Sequence, residues 1–538
     1  MKFARPLIPY IVFVLLVLGV QWREGAFKSE FGSHPDEAAH YVTGLMVHDY
    51  LTSGFKQLPL QFAQSYYNHY PKVGLGIWPP FFYIVQSIWA LPFSTSRVSV
   101  ISLIAFLSGG LTLLVFNTLR AEFGNLYGWT GSLLFISLPL VQQYSSMVMA
   151  EILSALLMFA ATLYLGRFLD QQKLSNAIGF GLCAAFSILT KGTGLALGLA
   201  MPLAACLSGK WRLIIHRGSW MAAGLVTLLA GPWTFLFRNQ GRGGWEEPSP
   251  SWQFTSRALV YYPRKIVIAV GLLLAVLAML GAVHVWRNRA RERSGMWLAS
   301  IALIIAVILF QSIMPVGLEA RHLVPIMPAL ILLALNGCVF MASRWKGEGS
   351  KYTSAILCAG LMAIFISAGL RTPKRLIDFG SVGENVNLSP FHIGTKSYQG
   401  FSRVVDEIMR ESSHKNCLVA SDARGEGMFI SEMAARDPQR PSWMVLRASK
   451  MLAGSTWNGA GYQSYFDTQE KMIGMLNKMD IDFVLVDNSI SKILPHQQLL
   501  NTTLQNNRER FILTGKFPIE RSDIFETDAL LLYQVYRN

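Results

Sequence analysis

Two adjacent acids, Asp36 and Glu37, stand in the stretch Ser33-His34-Pro35-Asp36-Glu37-Ala38-Ala39-His40-Tyr41, shortly after an apolar first segment. A carboxylate can take a proton from an attacking hydroxyl, so either acid is a candidate general base. Ser33 is a helix-capping type, Pro35 fits a first turn, and Asp36 lies three residues on, where a capping-box acid belongs. This predicts a helix start with Asp36 and His40 on one face at i,i+4. The pattern also has a plainer reading, in which first-turn acids simply complement the helix dipole.

Other charges border apolar runs, where desolvation makes them costly. Glu151 ends Ser145-Ser146-Met147-Val148-Met149-Ala150-Glu151 and reads as a structural or site-supporting acid. Lys191, in Leu189-Thr190-Lys191-Gly192-Thr193-Gly194, either snorkels to the interface or holds an anionic lipid headgroup. Arg321 and His322, beside Glu319 in Glu319-Ala320-Arg321-His322, are two candidate phosphate donors.

The elements that must position these groups are membrane helices. Of the 538 residues, 52% are hydrophobic and only 15% are Asp, Glu, Lys or Arg, with a mean hydropathy of +0.35. Soluble domains carry about 25% of those charged types. The fold class expected is a polytopic α-helical membrane protein of about eleven spans. These lie near residues 6–21, 98–118, 126–141, 147–166, 174–190, 192–208, 218–237, 266–286, 295–314, 322–341 and 353–370. The first reads as an uncleaved span, because no small-x-small cleavage signal follows it. Pro79 to Leu91 is short and opens on two prolines, which predicts a helix at or dipping into the interface.

The net charge of +15 lies largely in short loops such as those at 209–217, 287–293 and 344–351. That pattern is a topology signal and speaks against a nucleic-acid partner. It places the N-terminus inside and the loop 22–97 outside, together with Glu151, Lys191 and Glu319 to His322. Cys183, Cys206, Cys338, Cys358 and Cys417 form no metal-binding or disulfide spacing.

Residues 1–370 therefore read as a membrane-embedded catalytic domain, and 371–538 as a smaller extracytoplasmic α/β domain. Expected strands include Cys417 to Ala420, Trp443 to Leu446 and Ile481 to Val486; Phe401 to Ser412 and Lys471 to Met479 read as helices. The glycines of Ala423-Arg424-Gly425-Glu426-Gly427 do not complete a nucleotide-binding fingerprint.

A carboxylate beside basic groups at an outer membrane face suits a sugar carried on a polyisoprenyl phosphate. The donor brings its own anionic leaving group, so catalysis needs a base for the acceptor and cations for the departing phosphate. Asp36 is the first choice for that base, with Glu37 as alternative or supporting acid. The motifs Pro35-Asp36-Glu37 with His40-Tyr41, Trp78-Pro79-Pro80-Phe81-Phe82-Tyr83, the Glu151 segment, Leu189 to Gly194, and Glu319 to His322 with Pro325 and Pro328 extend over much of residues 1–341. In their order among the spans they resemble integral-membrane glycosyltransferases of the GT-C class, near the protein O-mannosyltransferases and lipid A aminoarabinose transferases.

The resemblance implies inversion at the anomeric carbon, an extracytoplasmic active site and a polyprenyl-phosphate sugar donor. The sequence shows no clear organelle retention signal, so a multi-pass protein of the plasma (inner) membrane is expected. It matches Asp36 to the family's first-loop acid, and Lys191 and Arg321 to basic positions for donor phosphate. His40, Tyr41, Glu151, Glu319 and His322 complete the expected substrate contacts. The acceptor is left as a lipid, glycan or protein. No cofactor is expected, and a divalent metal at Asp36, Glu37 and His40 is left open. The alternatives are a transporter or flippase of polyprenyl-linked substrates, and an oligosaccharide ligase.

Overall fold

Apolar runs punctuated by Gly, Pro and short basic loops fold as helices. The computed structural model describes residues 4–536 apart from 75, 290–293, 345–355, 357, 364–374, 379–384, 388–397, 412–415, 457–458, 491–492 and 522–523. Among these, six helices are long and apolar enough to cross a bilayer: Arg97–Phe123, Glu151–Gln171, Arg217–Leu236, Trp252–Arg287, Gly295–Ile313 and Ala320–Ser343. Shorter apolar helices run over Leu7–Arg23, Phe81–Phe93, Leu174–Thr190 and Gly192–Leu207. Length and composition thus support six crossings among the described residues, against about eleven expected from sequence. Most of the expected last span, 353–370, lies outside the described residues, as do Lys2 and the basic stretches 290–293 and 345–351.

Two helix boundaries depart from expectation. The run 126–141 breaks at Leu138, held extended at φ −62° and ψ 127°, so Asn125–Ser137 and Pro139–Ser145 are separate helices. Pro139 is the cause, since its ring pushes the preceding residue out of the helical region. The next helix begins at Glu151, which leaves 146–150 as a loop.

Small residues let the helices cross closely. A Cβ on Gly281 would stand 2.0 Å from the Leu333 carbonyl oxygen, and one on Gly337 2.0 Å from that of Leu277. Only glycine permits this contact between Trp252–Arg287 and Met327–Arg344.

Among the described residues ten strands follow, all in the C-terminal part. In chain order they are β1 (Arg375–Asp378), β2 (Asn385–Asn387), β3 (Tyr398–Gln399), β4 (Asn416–Ala420) and β5 (Met444–Arg447). Then come β6 (Ala453–Gly454), β7 (Gln463–Ser464), β8 (Ile481–Asp487), β9 (Phe511–Arg521) and β10 (Ile524–Val535). The main sheet has the order β3-β9-β10-β8-β4-β5, with β4 parallel to both β5 and β8 and the remaining pairs antiparallel. Strands covered on both faces read as continuous apolar runs, and Cys417 to Ala420 is buried throughout. The strands expected at 417–420, 443–446 and 481–486 are present as β4, β5 and β8, and the expected helices as Phe401–Glu411 and Gln469–Lys478.

Buried polar contacts join this sheet unit to the first loop. The Glu30 carboxylate accepts the backbone N–H groups of Gly400, Phe401 and Ser402 at 3.1, 2.8 and 3.2 Å. Arg440 forks onto both Asp49 oxygens at 2.9 and 3.1 Å, and the Tyr70 hydroxyl donates to Asp437 at 2.6 Å. Arg97 pairs with Glu432. The helix Ala423–Arg436 lies along Glu37–Thr52, which carries the predicted chemistry at its start.

Candidate active site

Asp36 occupies the N-cap position of Glu37–Thr52, yet its side chain makes no capping hydrogen bond. Its Oδ2 accepts instead from an Arg321 terminal nitrogen at 2.8 Å. The capping box expected at Ser33 is not formed. The Ser33 backbone N–H donates to Glu37 Oε2 at 3.1 Å, while the Val148 N–H donates to Glu37 Oε1 at 3.0 Å. A charge-assisted bond to a guanidinium is stronger than a neutral cap, which explains where the Asp36 carboxylate points.

Around Arg321 the charges converge from four parts of the chain. Its Nε lies 2.7 Å from Glu319 Oε2 and 3.9 Å from Glu151 Oε1. Lys191 Nζ donates to the same Glu151 oxygen at 2.5 Å. Lys191 can reach it because its backbone is extended (φ −158°, ψ 141°) between Leu174–Thr190 and the short turn Gly192–Ala196. The ammonium thus points into a buried ion pair; Glu151 is only 1% exposed. Among the described residues Glu151 Oε2 has no hydrogen-bond partner, leaving acceptor capacity inside the cluster. His34 closes it, with Nδ1 accepting the Asp36 N–H at 3.1 Å and Nε2 standing 3.6 Å from Glu319 Oε2.

The electrostatics separate the two adjacent acids. Burial alone would push the Asp36 carboxyl up, but Arg321 and His34 outweigh it and hold Asp36 at about 2. Burial dominates at Glu37 and raises it to about 7 against the pull of the Val148 and Ser33 amides. Asp36 is therefore ionised at neutral pH, with its side chain 31% exposed, whereas Glu37 is buried and tied to two backbone groups. Glu37 has the geometry of a tie between the 33–36 turn and the 146–150 loop.

His40 is buried beneath Asp36. Its ring lies 4.3 Å from that of Trp78, and Nδ1 is 2.8 Å from the Tyr83 hydroxyl. Burial lowers it to about 4, against the raising effect of Glu151 and Asp36, so the imidazole is neutral at physiological pH. His322 faces a separate partner, the Tyr262 hydroxyl at 3.0 Å. Tyr41 points away from the cluster, stacked on Phe31 at 4.1 Å with its hydroxyl donating to the Thr95 carbonyl at 2.9 Å.

The structure thus brings together Asp36, Glu151, Lys191, Glu319 and Arg321; His40 lies beneath them, and Tyr41 is set apart. Among the described residues no group of His, Cys, Asp and Glu is arranged to hold a metal ion. Sequence reasoning passed over His34, although it stands two residues before Asp36 within the quoted motif. It also passed over Tyr262 and Lys72, whose roles depend on contacts across the fold that local sequence does not signal.

Residues 78–235 match the family model described as dolichyl-phosphate-mannose-protein mannosyltransferase. By that match the chain is a membrane glycosyltransferase using a lipid-linked sugar. The matched segment includes Trp78-Pro79-Pro80, Glu151 and Lys191, while Asp36 and Arg321 lie on either side of it. No curated protein matches the sequence.

The fold is similar to that of ArnT from Cupriavidus metallidurans. The crystal structure bound to undecaprenyl phosphate gives a TM-score of 0.54 at 12% identity over 97% of each chain. The apo structure gives 0.56 at the same identity and coverage. The archaeal oligosaccharyltransferase AglB from Archaeoglobus fulgidus, in complex with an inhibitory peptide and a dolichol phosphate, gives 0.49 at 12% identity over 97% of this chain and 74% of that one. The GT-C resemblance read from the first-loop and membrane motifs is therefore matched by family and by fold.

Proposed function

We propose that the chain transfers a sugar from a polyprenyl phosphate to a hydroxyl on an extracytoplasmic lipid, glycan or protein acceptor, with inversion. The observation that carries this reading is the Asp36–Arg321 bond, which joins a candidate base to a candidate phosphate-binding cation in one contact. The undecaprenyl phosphate bound to ArnT supports a donor with an anionic head and a polyprenyl tail. The outer-face placement, with residues 1–370 as the membrane-embedded catalytic part and 371–538 outside, rests on the basic loops of the sequence.

In the reaction the acceptor oxygen attacks the anomeric carbon while Asp36 takes its proton. The bond from that carbon to the phosphate oxygen breaks, and polyprenyl phosphate leaves with the electron pair. Arg321 and Lys191 balance the charge that grows on the leaving phosphate. Glu151 and Glu319 orient those two cations, and Glu37 and His40 hold the turn that carries Asp36.

A carboxylate held at about 2 is a weak base. A donor phosphate that draws Arg321 away removes the strongest influence holding Asp36 down, so basicity rises when the donor is seated. The arrangement couples proton acceptance at Asp36 to donor occupancy.

The test is transfer of labelled sugar from a panel of polyprenyl-phosphate donors to membrane and cell-envelope acceptors, with folded Asp36→Asn as comparison. Product from the wild type and none from the variant supports the reading. Equal product from both overturns the role of Asp36, and donor movement across vesicles without transfer points to a flippase.

A further inference from the structure

Lys72 lies in the first loop, 36 residues after Asp36 and outside every motif that signals the site. Its Nζ donates to two backbone carbonyls, Pro35 and Ala423, each at 3.1 Å. Pro35 immediately precedes Asp36, and Ala423 is the first residue of the helix Ala423–Arg436. One ammonium therefore bridges the catalytic turn and the sheet unit. The helix is shaped for it: a Cβ on Gly427 would stand 3.2 Å from Lys72 Cε, 3.3 Å from Nζ and 3.1 Å from Ala38 Cβ.

We propose that Lys72 is a positioning residue for the transfer reaction, its ammonium fixing the Asp36 turn against the helix Ala423–Arg436 so that the sheet unit sets where the base stands. This rests on the glycosyl-transfer reading above. The bridge is charge-assisted, and it is the cation rather than the alkyl stem that satisfies both carbonyls. Asp36 faces Lys72 from the first loop, Asp422 and Glu426 from the helix and its cap, and Arg447 from β5. Burial, with Arg447 adding to it, lowers Lys72 to about 8 against the opposing acids. The charge that holds the turn is therefore present at neutral pH and is lost as pH rises through that value.

The experiment compares wild type, Lys72→Arg and Lys72→Met by kcat and donor KM across pH, and by hydrogen exchange of the segments 33–40 and 423–428. Lys72→Met is expected to lower kcat by about 10–100-fold with donor KM unchanged, because the base is misplaced while the phosphate site is intact. Lys72→Arg restores most of kcat and moves the alkaline limb, near pH 8 in the wild type, upward. Both segments exchange faster in Lys72→Met and stay protected in Lys72→Arg.

Wild-type kcat in Lys72→Met overturns the proposal, as does an alkaline limb left in place by Lys72→Arg. If Lys72→Met does not fold, the wild-type and Lys72→Arg pH profiles decide the matter alone. Unchanged exchange in a folded Lys72→Met overturns it without reference to any substrate. Failure of the glycosyl-transfer reading has another signature: the wild type transfers nothing while the exchange difference persists, which still supports Lys72 as the tie.

Discussion

Asp36 and Arg321 stand 285 residues apart in the chain and 2.8 Å apart in space. The bond turns Asp36 away from the helix N-terminus it was expected to complement and toward the charges gathered at the membrane helices. It also makes two proposed functions mutually exclusive in the free protein, since the guanidinium that would bind phosphate is engaged by the carboxylate that would take the proton. Donor binding resolves that competition by offering Arg321 a phosphate whose negative charge grows as the bond to the sugar breaks.

Asp36→Asn keeps the shape of the side chain and removes its basicity. Transfer is expected to fall by about 10²–10⁴-fold, the usual range for a lost general base, with donor affinity retained or improved as Arg321 is released. Single-turnover rates measured beside equilibrium donor binding separate the two effects. A variant that turns over as fast as the wild type would remove Asp36 from the chemistry.

Much of this site was legible in the sequence, and the reason is local. Charges beside apolar runs are costly, so Asp36, Glu151, Lys191 and Arg321 stood out, and strand patterns such as Ile481 to Val486 marked the sheet. What local pattern could not give was partnership. The capping box at Ser33 lost to Arg321, a competitor far away in sequence. Glu37 looked equivalent to Asp36 until burial and the Val148 amide set it apart. Tyr41, next to His40 in the motif, projects to Phe31 and Thr95 because neighbours on a helix diverge by about 100°.

The Glu151–Lys191 pair invites a double-mutant cycle. Lys191→Met leaves the Glu151 carboxylate, 1% exposed, without its closest cation, and is expected to destabilise the protein by about 3–5 kcal/mol. Lys191→Met with Glu151→Gln should recover a large part of that loss while donor affinity stays low. Thermal unfolding in detergent reads the first effect and donor titration the second. Additive losses in the double variant would mean that the two groups are not coupled.

Glu37 gives a pH signature opposite to that of an ordinary surface acid. Its folded value of about 7 lies above the ordinary 4.5, so its contribution to stability is fully present below about 4.5 and is lost as pH rises through about 7. Glu37→Gln does not titrate. The gap in unfolding temperature between wild type and Glu37→Gln should therefore narrow from pH 5 to pH 8. A gap that widens over that window would contradict the assignment of burial as the dominant influence.

Glu30 tests whether the sheet unit is held to the first loop by a few buried contacts. Its two oxygens accept three consecutive amides, Gly400, Phe401 and Ser402, at the start of the helix Phe401–Glu411. A carboxylate suits this place because it only accepts hydrogen bonds and complements the positive end of the helix dipole. Glu30→Gln puts an N–H₂ group where one oxygen stood, leaving at least one of those amides without an acceptor at a cost of about 1–3 kcal/mol. Exchange at residues 400–402 should accelerate by about 10-fold or more, while the long apolar helix Glu151–Gln171 stays protected. Such a result would localise the loss to the docking contact. Acceleration spread equally over both regions would instead mean that Glu30 supports the whole fold, and no change at 400–402 would show that the three amides find other acceptors when the carboxylate is gone.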